Sequence, residues 1–262
     1  MFKMRIIKSP IYFVFTGVLL LLSSCASKKD VVYFQNAGSF ETLVEKNSFT
    51  PKFKVDDLVS IHVSTLDPEA SAPFNLLRGA SEGSVRGNAE QVDYLVDEQG
   101  EIDFPVIGKI KIAGLSPEET RMLLRDRLSV YLKDPIINIR LRNFSVTVLG
   151  EVNRPGTYTV NGEKITILEA LGLAGDMTIK GKRENVMVIR DFDGTKVYSR
   201  IDLNYKDALN SPVYYLTQND VVYVEPNKSA ITASSLDNRA SIAISIASLL
   251  ITSTVIILTR IN

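Results

Sequence analysis

The single thiol of the chain, Cys25, follows Leu22-Ser23-Ser24. That spacing suits chemistry done to the protein rather than by it. A lipoprotein signal peptidase needs an aliphatic residue three places before the cysteine and small residues between them. The thiol is then acylated and becomes the mature N-terminus. The context agrees: Lys3, Arg5 and Lys8 precede an apolar run over residues 11–22, too short for a span and right for a signal peptide. An ordinary signal peptide with an incidental cysteine is the alternative. With its thiol consumed, the mature chain forms no internal disulfide and no cysteine metal site.

A second set of reactive groups lies at the far end. Residues 240–259, between Arg239 and Arg260, carry no charge and hold six Ile, three Leu, one Val and seven Ser or Thr. Twenty residues of helix reach about 30 Å, the hydrocarbon thickness of a bilayer, so a transmembrane helix is expected. At 100° per residue, Ser241, Ser245, Ser248, Thr252 and Thr259 share a wedge of about 60°. Side by side, copies of such a helix line a pore with hydroxyls. In the competing reading, small residues let helices approach closely, with Ala243 and Ala247 as a seam.

Catalytic spacing is missing. There is no Gly-x-Ser-x-Gly, no phosphate loop and no His/Cys metal pattern, and no cofactor is expected. The acidic pairs Asp56-Asp57, Asp97-Glu98 and Glu118-Glu119 are adjacent in sequence, so they suit turns and caps rather than two sides of a glycosidic bond. The one histidine, His62, is out of phase with Ile61 and Val63, which puts it on the wet face of a strand. Tyr214, Tyr215 and Tyr223 offer stacking faces for sugars, but strand aromatics usually serve core or interface. Lys plus Arg equals Asp plus Glu at 30 each, which gives no footprint for nucleic acid.

The elements that position these groups are short. Residues 31–34 read as an edge strand in a tether, residues 54–63 as a strand, and residues 67–91 as a long surface loop. Residues 102–112 form two strands broken around Pro105 and Gly108. Ser116-Pro117-Glu118-Glu119 opens a helix with a capping box, carried on by Leu124, Leu128 and Tyr131. A strand after Asp134-Pro135 sets Ile137, Ile139 and Leu141 against Asn138, Arg140 and Arg142; the two arginines are candidates for a subunit contact. Thr166 to Glu169 is a second capping box, followed by a hairpin across residues 191–194. Val55-Asp56-Asp57-Leu58 and Gln218-Asn219-Asp220-Val221 echo one another, each an Asp turn leading into an apolar strand. The fold class is α+β, two small modules of short mixed strands and capped helices.

In order, these pieces resemble the polysaccharide export family of bacterial outer-membrane lipoproteins, the Wza type. The stretch from Gly100 through Ile102 and Pro105 to Gly108 follows its Gly-x-Ile-x-x-Pro-x-Ile-Gly pattern, and Ala113-Gly114-Leu115-Ser116 leads into the helix as in relatives. Val55-Asp56-Asp57 keeps the family's Asp but lacks its Pro-Gly. Gly150-Glu151-Val152, Pro155-Gly156-Thr157-Tyr158, Ala170, Ala174-Gly175 and Asn219-Asp220-Val221 resemble a soluble ligand-binding β-grasp module. Larger relatives carry two such modules, and this chain has room for one.

The resemblance implies a non-catalytic homo-oligomeric ring in the periplasm, anchored at the outer membrane by lipid on Cys25. Copies of the C-terminal helix would form a barrel passing capsular or extracellular polysaccharide. Membrane lipids and an inner-membrane polysaccharide co-polymerase/tyrosine kinase are the implied partners. The expected layout is signal peptide 1–24, tether 25–50, export domain 51–143, β-grasp domain 144–226, linker 227–239 and transmembrane helix 240–259. The rival is a lipid-anchored periplasmic glycan-binding protein or hydrolase with a membrane tail.

Overall fold

The computed structural model describes residues 31–38, 49–78, 90–192, 194–235 and 238–261. The signal segment and Cys25 lie outside the described residues. In the first unit, strand β1 (Leu58–Ser64) leads to a short helix α1 (Pro68–Ser71) and to β2 (Leu77–Arg78), which pairs with β3 (Glu90–Gln91). Strand β4 (Tyr94–Leu95), the hairpin β5 (Glu101–Phe104) and β6 (Gly108–Lys111), helix α2 (Pro117–Leu128) and β7 (Ile136–Leu141) complete it. The sheet order is β4-β1-β7, all antiparallel.

Alternation builds this sheet: Val59, Ile61 and Val63 are fully buried while His62 is exposed. Across the ladder Ile61 meets Ile139 and Val63 meets Ile137. Helix α2 starts where its capping box demands, with Glu119 N–H donating to Ser116 Oγ and Ser116 N–H to Glu119 Oε2. It closes the core with Leu124 and Leu128.

The second unit holds β8 (Ser145–Gly150), β9 (Gly156–Thr159), β10 (Ile165–Thr166), helix α3 (Ile167–Leu173), β11 (Gly181–Phe192), β12 (Thr195–Ile201), β13 (Tyr215–Leu216) and β14 (Val221–Pro226). Five of these strands form one sheet in the order β12-β11-β14-β8-β9. Only β14 and β8 run parallel. Val146, Val148, Val186, Val188, Val222 and Val224 fill its buried face, and Ile167, Ala170 and Leu171 of α3 pack against them. Each unit therefore has its own hydrophobic cluster, and Leu141 touches both. Helices α4 (Lys228–Ser235) and α5 (Asn238–Ile261) follow.

The parallel pair requires a glycine at the end of β8. Gly150 has φ +89°, and a Cβ there would sit 2.0 Å from the Val224 carbonyl oxygen. Gly150→Ala is expected to cost at least about 1–3 kcal/mol, since strain alone is of that order. Urea denaturation of the two proteins measures it.

Several sequence expectations need correction. Residues 31–34 are irregular, a turn at Val31 and a bend at Tyr33, not a strand. The described part of 67–91 is not structureless: it holds α1, a 3-10 turn at Ala72–Phe74 and the β2–β3 pair. Helix α2 ends at Leu128, so Tyr131 falls outside it and is exposed, its ring 5.9 Å from Phe74. Among the described residues no helix is long and apolar enough to cross a membrane, so the expected transmembrane helix is not supported. The segment is helical as α5, and seven Ser or Thr residues between 240 and 259 interrupt its apolar side chains. A span needs about 20 apolar residues together.

Candidate functional site

Two matching turns meet where the units join. In each, the middle residue takes a left-handed conformation, Asp56 at φ 69° and Asn219 at φ 65°. The following Asp is buried and accepts the backbone N–H three residues back: Lys54 N–H to Asp57 at 2.8 Å, Thr217 N–H to Asp220 at 2.8 Å. The echo in the sequence is thus one geometry used twice. Lys54 Nζ donates to Thr217 Oγ1 at 3.2 Å, tying turn to turn. Asn143, between the units, holds the first turn by accepting from Leu58 N–H and donating to the Asp56 carbonyl. Gln218 of the second turn donates to the Asn143 carbonyl and accepts Ser145 N–H.

The two buried carboxylates differ in one respect. Asp220 faces Arg190, whose Nη2 lies 2.7 Å and Nε 3.1 Å from its oxygens. Among the described residues Asp57 has no arginine partner, and burial pushes its carboxyl up to about 6; the Lys54 N–H and charge oppose this, and Asp56 adds to it. The folded state therefore holds this proton more tightly than the unfolded chain. The stability this proton contributes is fully present below the ordinary value of 3.8 and is lost as pH rises through the window from 3.8 to about 6. The whole effect is at most about 3 kcal/mol. Asp57→Asn keeps an oxygen for Lys54 N–H and removes the charge. It is expected to raise stability by up to that amount at pH 7.5 and to leave it unchanged at pH 3.5, read by urea denaturation at the two pH values.

The chain ahead of the first unit docks on the second. Tyr33 Oη donates to Asp176 at 2.6 Å, and the Arg183 guanidinium lies 5.1 Å from the Tyr33 ring centre. Phe34 and Gln35 N–H donate to the Leu203 and Asn204 carbonyls, and Lys206 N–H donates to Asn36. Burial and the Asp176 bond hold the Tyr33 hydroxyl well above its ordinary pKa. Sequence reading missed this contact because its partners lie 143 or more residues away; the only signal was an apolar Val-Val-Tyr-Phe run.

Of the proposed pore-lining residues, Ser245, Ser248 and Thr252 are exposed on α5, as are Ile242, Ile246, Leu249 and Ile257. The backbone positions of Ser241 and Thr259 belong to the same helix. Ser248 Oγ donates to the Ser245 carbonyl and Thr252 Oγ1 to the Ser248 carbonyl, both at 2.8 Å. Their hydrogens are thus spent on the helix, and they turn lone pairs outward. Of the two candidate arginines, Arg142 reaches Asp93 at 3.5 Å within its own unit. Arg140 is exposed without an ion pair among the described residues. Among the described residues no group of three or more His, Cys, Asp or Glu is placed to share a metal ion.

Residues 47–142 match the polysaccharide biosynthesis/export protein family, and residues 145–200 match the SLBB domain. The chain carries a polysaccharide export domain followed by an SLBB domain. Similar proteins include the EPS I polysaccharide export outer membrane protein EpsA of Ralstonia solanacearum, 28% identical over 141 residues, which cover 52% of this chain and 37% of that protein. The protein of the same name from Ralstonia nicotianae is 34% identical over 109 residues, covering 40% of this chain and 29% of its own. The match thus spans about a third of the length of these curated relatives. This is a family of transport proteins, not enzymes. The SLBB match stops inside β12, yet β14 sits between β11 and β8. The folded unit therefore runs past the match, to Pro226.

Proposed function

We propose that the chain is an outer-membrane lipoprotein that assembles with copies of itself into a ring and passes capsular or extracellular polysaccharide outward. The observation that carries this is the succession of an export domain, an SLBB domain and a helix with exposed Ile and Leu. In the assembly, copies of α5 stand side by side. Ser245, Ser248 and Thr252 turn to the glycan path, with helix positions 241 and 259 in line with them, and the exposed Ile and Leu side chains turn towards neighbouring copies. A wall of hydroxyls, those of Ser248 and Thr252 with their hydrogens already engaged, carries no fixed charge to trap a hydrated glycan.

The docked tether supports an orientation. From a lipidated Cys25 to Tyr33 there are eight residues, which reach at most about 29 Å when extended. The second unit, which grips Tyr33, is therefore held near the outer membrane, and the first unit faces the periplasm. There it meets an inner-membrane polysaccharide co-polymerase/tyrosine kinase. The test is a deletion strain complemented with the full chain. Extracellular glycan should vanish on deletion and return on complementation, and purified protein should hydrolyse none of it. Normal glycan in the deletion strain overturns the reading.

A further inference from the structure

Among the described residues β7 ends its sheet, and no strand pairs with its outer edge, where Arg121 Nε donates to the Ile137 carbonyl. Arg142 N–H donates to the Leu58 carbonyl. By the antiparallel alternation, that register turns the backbone groups of Ile139 and Leu141 away from β1. They face a cleft of about 520 Å³ between the two units, within the size range of small-molecule pockets. Pro51, Pro117 and Val160 give it apolar walls, and Lys52, Arg140, Asn161 and Glu163 give it a polar rim. Lys52 also faces the α2 capping box, where its charge helps hold Glu119 below the ordinary carboxylate range, after the hydrogen bonds from Ser116. Neither Arg140 nor Glu163 has an ion-pair partner among the described residues, and both are exposed.

We propose that this cleft binds an acidic sugar residue, one bearing a uronate-type carboxylate. A sugar ring offers apolar C–H faces and hydroxyl edges. The walls of Pro51 and Val160 suit the faces, while Asn161, Glu163 and the free N–H and C=O groups of Ile139 and Leu141 suit the edges. The planar guanidinium of Arg140 is shaped to pair a carboxylate through two hydrogen bonds. An extended peptide would gain little here, because only two strand residues present free backbone groups and both flanking prolines lack an N–H. The proposal deepens the export reading by naming a substrate class, and it rests on that reading only for the source of the sugar.

The experiment is calorimetric titration of the full-length protein in detergent with trigalacturonate and with its methyl ester, which keeps the ring and loses the charge. The acid should bind roughly tenfold tighter or more, the difference expected of a charge-assisted pair. Arg140→Gln should abolish that preference while leaving ester binding intact. Glu163→Gln should weaken both ligands. Equal binding of acid and ester, or a preference that survives Arg140→Gln, overturns the assignment. The two readings fail separately. Full export by the Arg140→Gln protein without acid binding removes the cleft and leaves export standing. Normal glycan in the deletion strain with intact acid binding does the reverse.

Discussion

Arg190→Met is expected to destabilise the protein by about 3–5 kcal/mol, the usual cost of leaving one member of a buried ion pair behind. Asp220 is fully buried, and Arg190 is nearly so. The carboxylate also accepts Thr217 N–H and Thr217 Oγ1, and Arg190 Nη2 donates to the Tyr215 carbonyl at 2.9 Å. One pair thus holds β11 to the turn that starts β14 and to β13. Asp220→Asn in the Arg190→Met background removes the stranded charge and keeps an acceptor for Thr217 N–H, so the double variant should recover part of the loss. Urea denaturation of the single and double variants measures both values. A cost below about 1 kcal/mol for Arg190→Met would show that solvent already screens the pair, as at exposed bridges.

The second large effect is on transport. Ser248→Arg puts a long cation on the hydroxyl stripe of every copy, and a ring of charges governs what passes a pore. Extracellular glycan should fall by about tenfold or more at matched protein level. Ile246→Leu, on the apolar face, should leave it unchanged. Export that survives Ser248→Arg places the glycan path elsewhere.

What the sequence discloses here is what local chemistry decides. Both capping boxes form as spelled, because Ser116 with Glu119 and Thr166 with Glu169 complete their bonds within one turn. Strand alternation puts Ile137 and Ile139 inside and Arg140 outside, since only one face of the sheet meets a core. The Asp-turn echo is legible too, because each turn closes on itself over three residues. What is not legible is remote. Nothing local marks Asp220 as paired and Asp57 as unpaired, since Arg190 lies 30 residues from its partner. The insertion of β14 between β11 and β8 is likewise a tertiary choice. Tyr131 misleads because helical spacing continues past Ser129, where the helix has already closed. In α5, composition predicts the helix but not its surroundings. The hydroxyl stripe of the candidate site is readable from spacing, whereas the cleft beside Arg140 exists only once the two units meet.

Transport through α5 requires many copies making one conduit. The direct measurement is the particle mass of the full-length protein extracted in mild detergent, by mass photometry or light scattering. One closed species containing several copies of the mature chain is expected, unchanged on dilution. A particle that holds a single copy would contradict it.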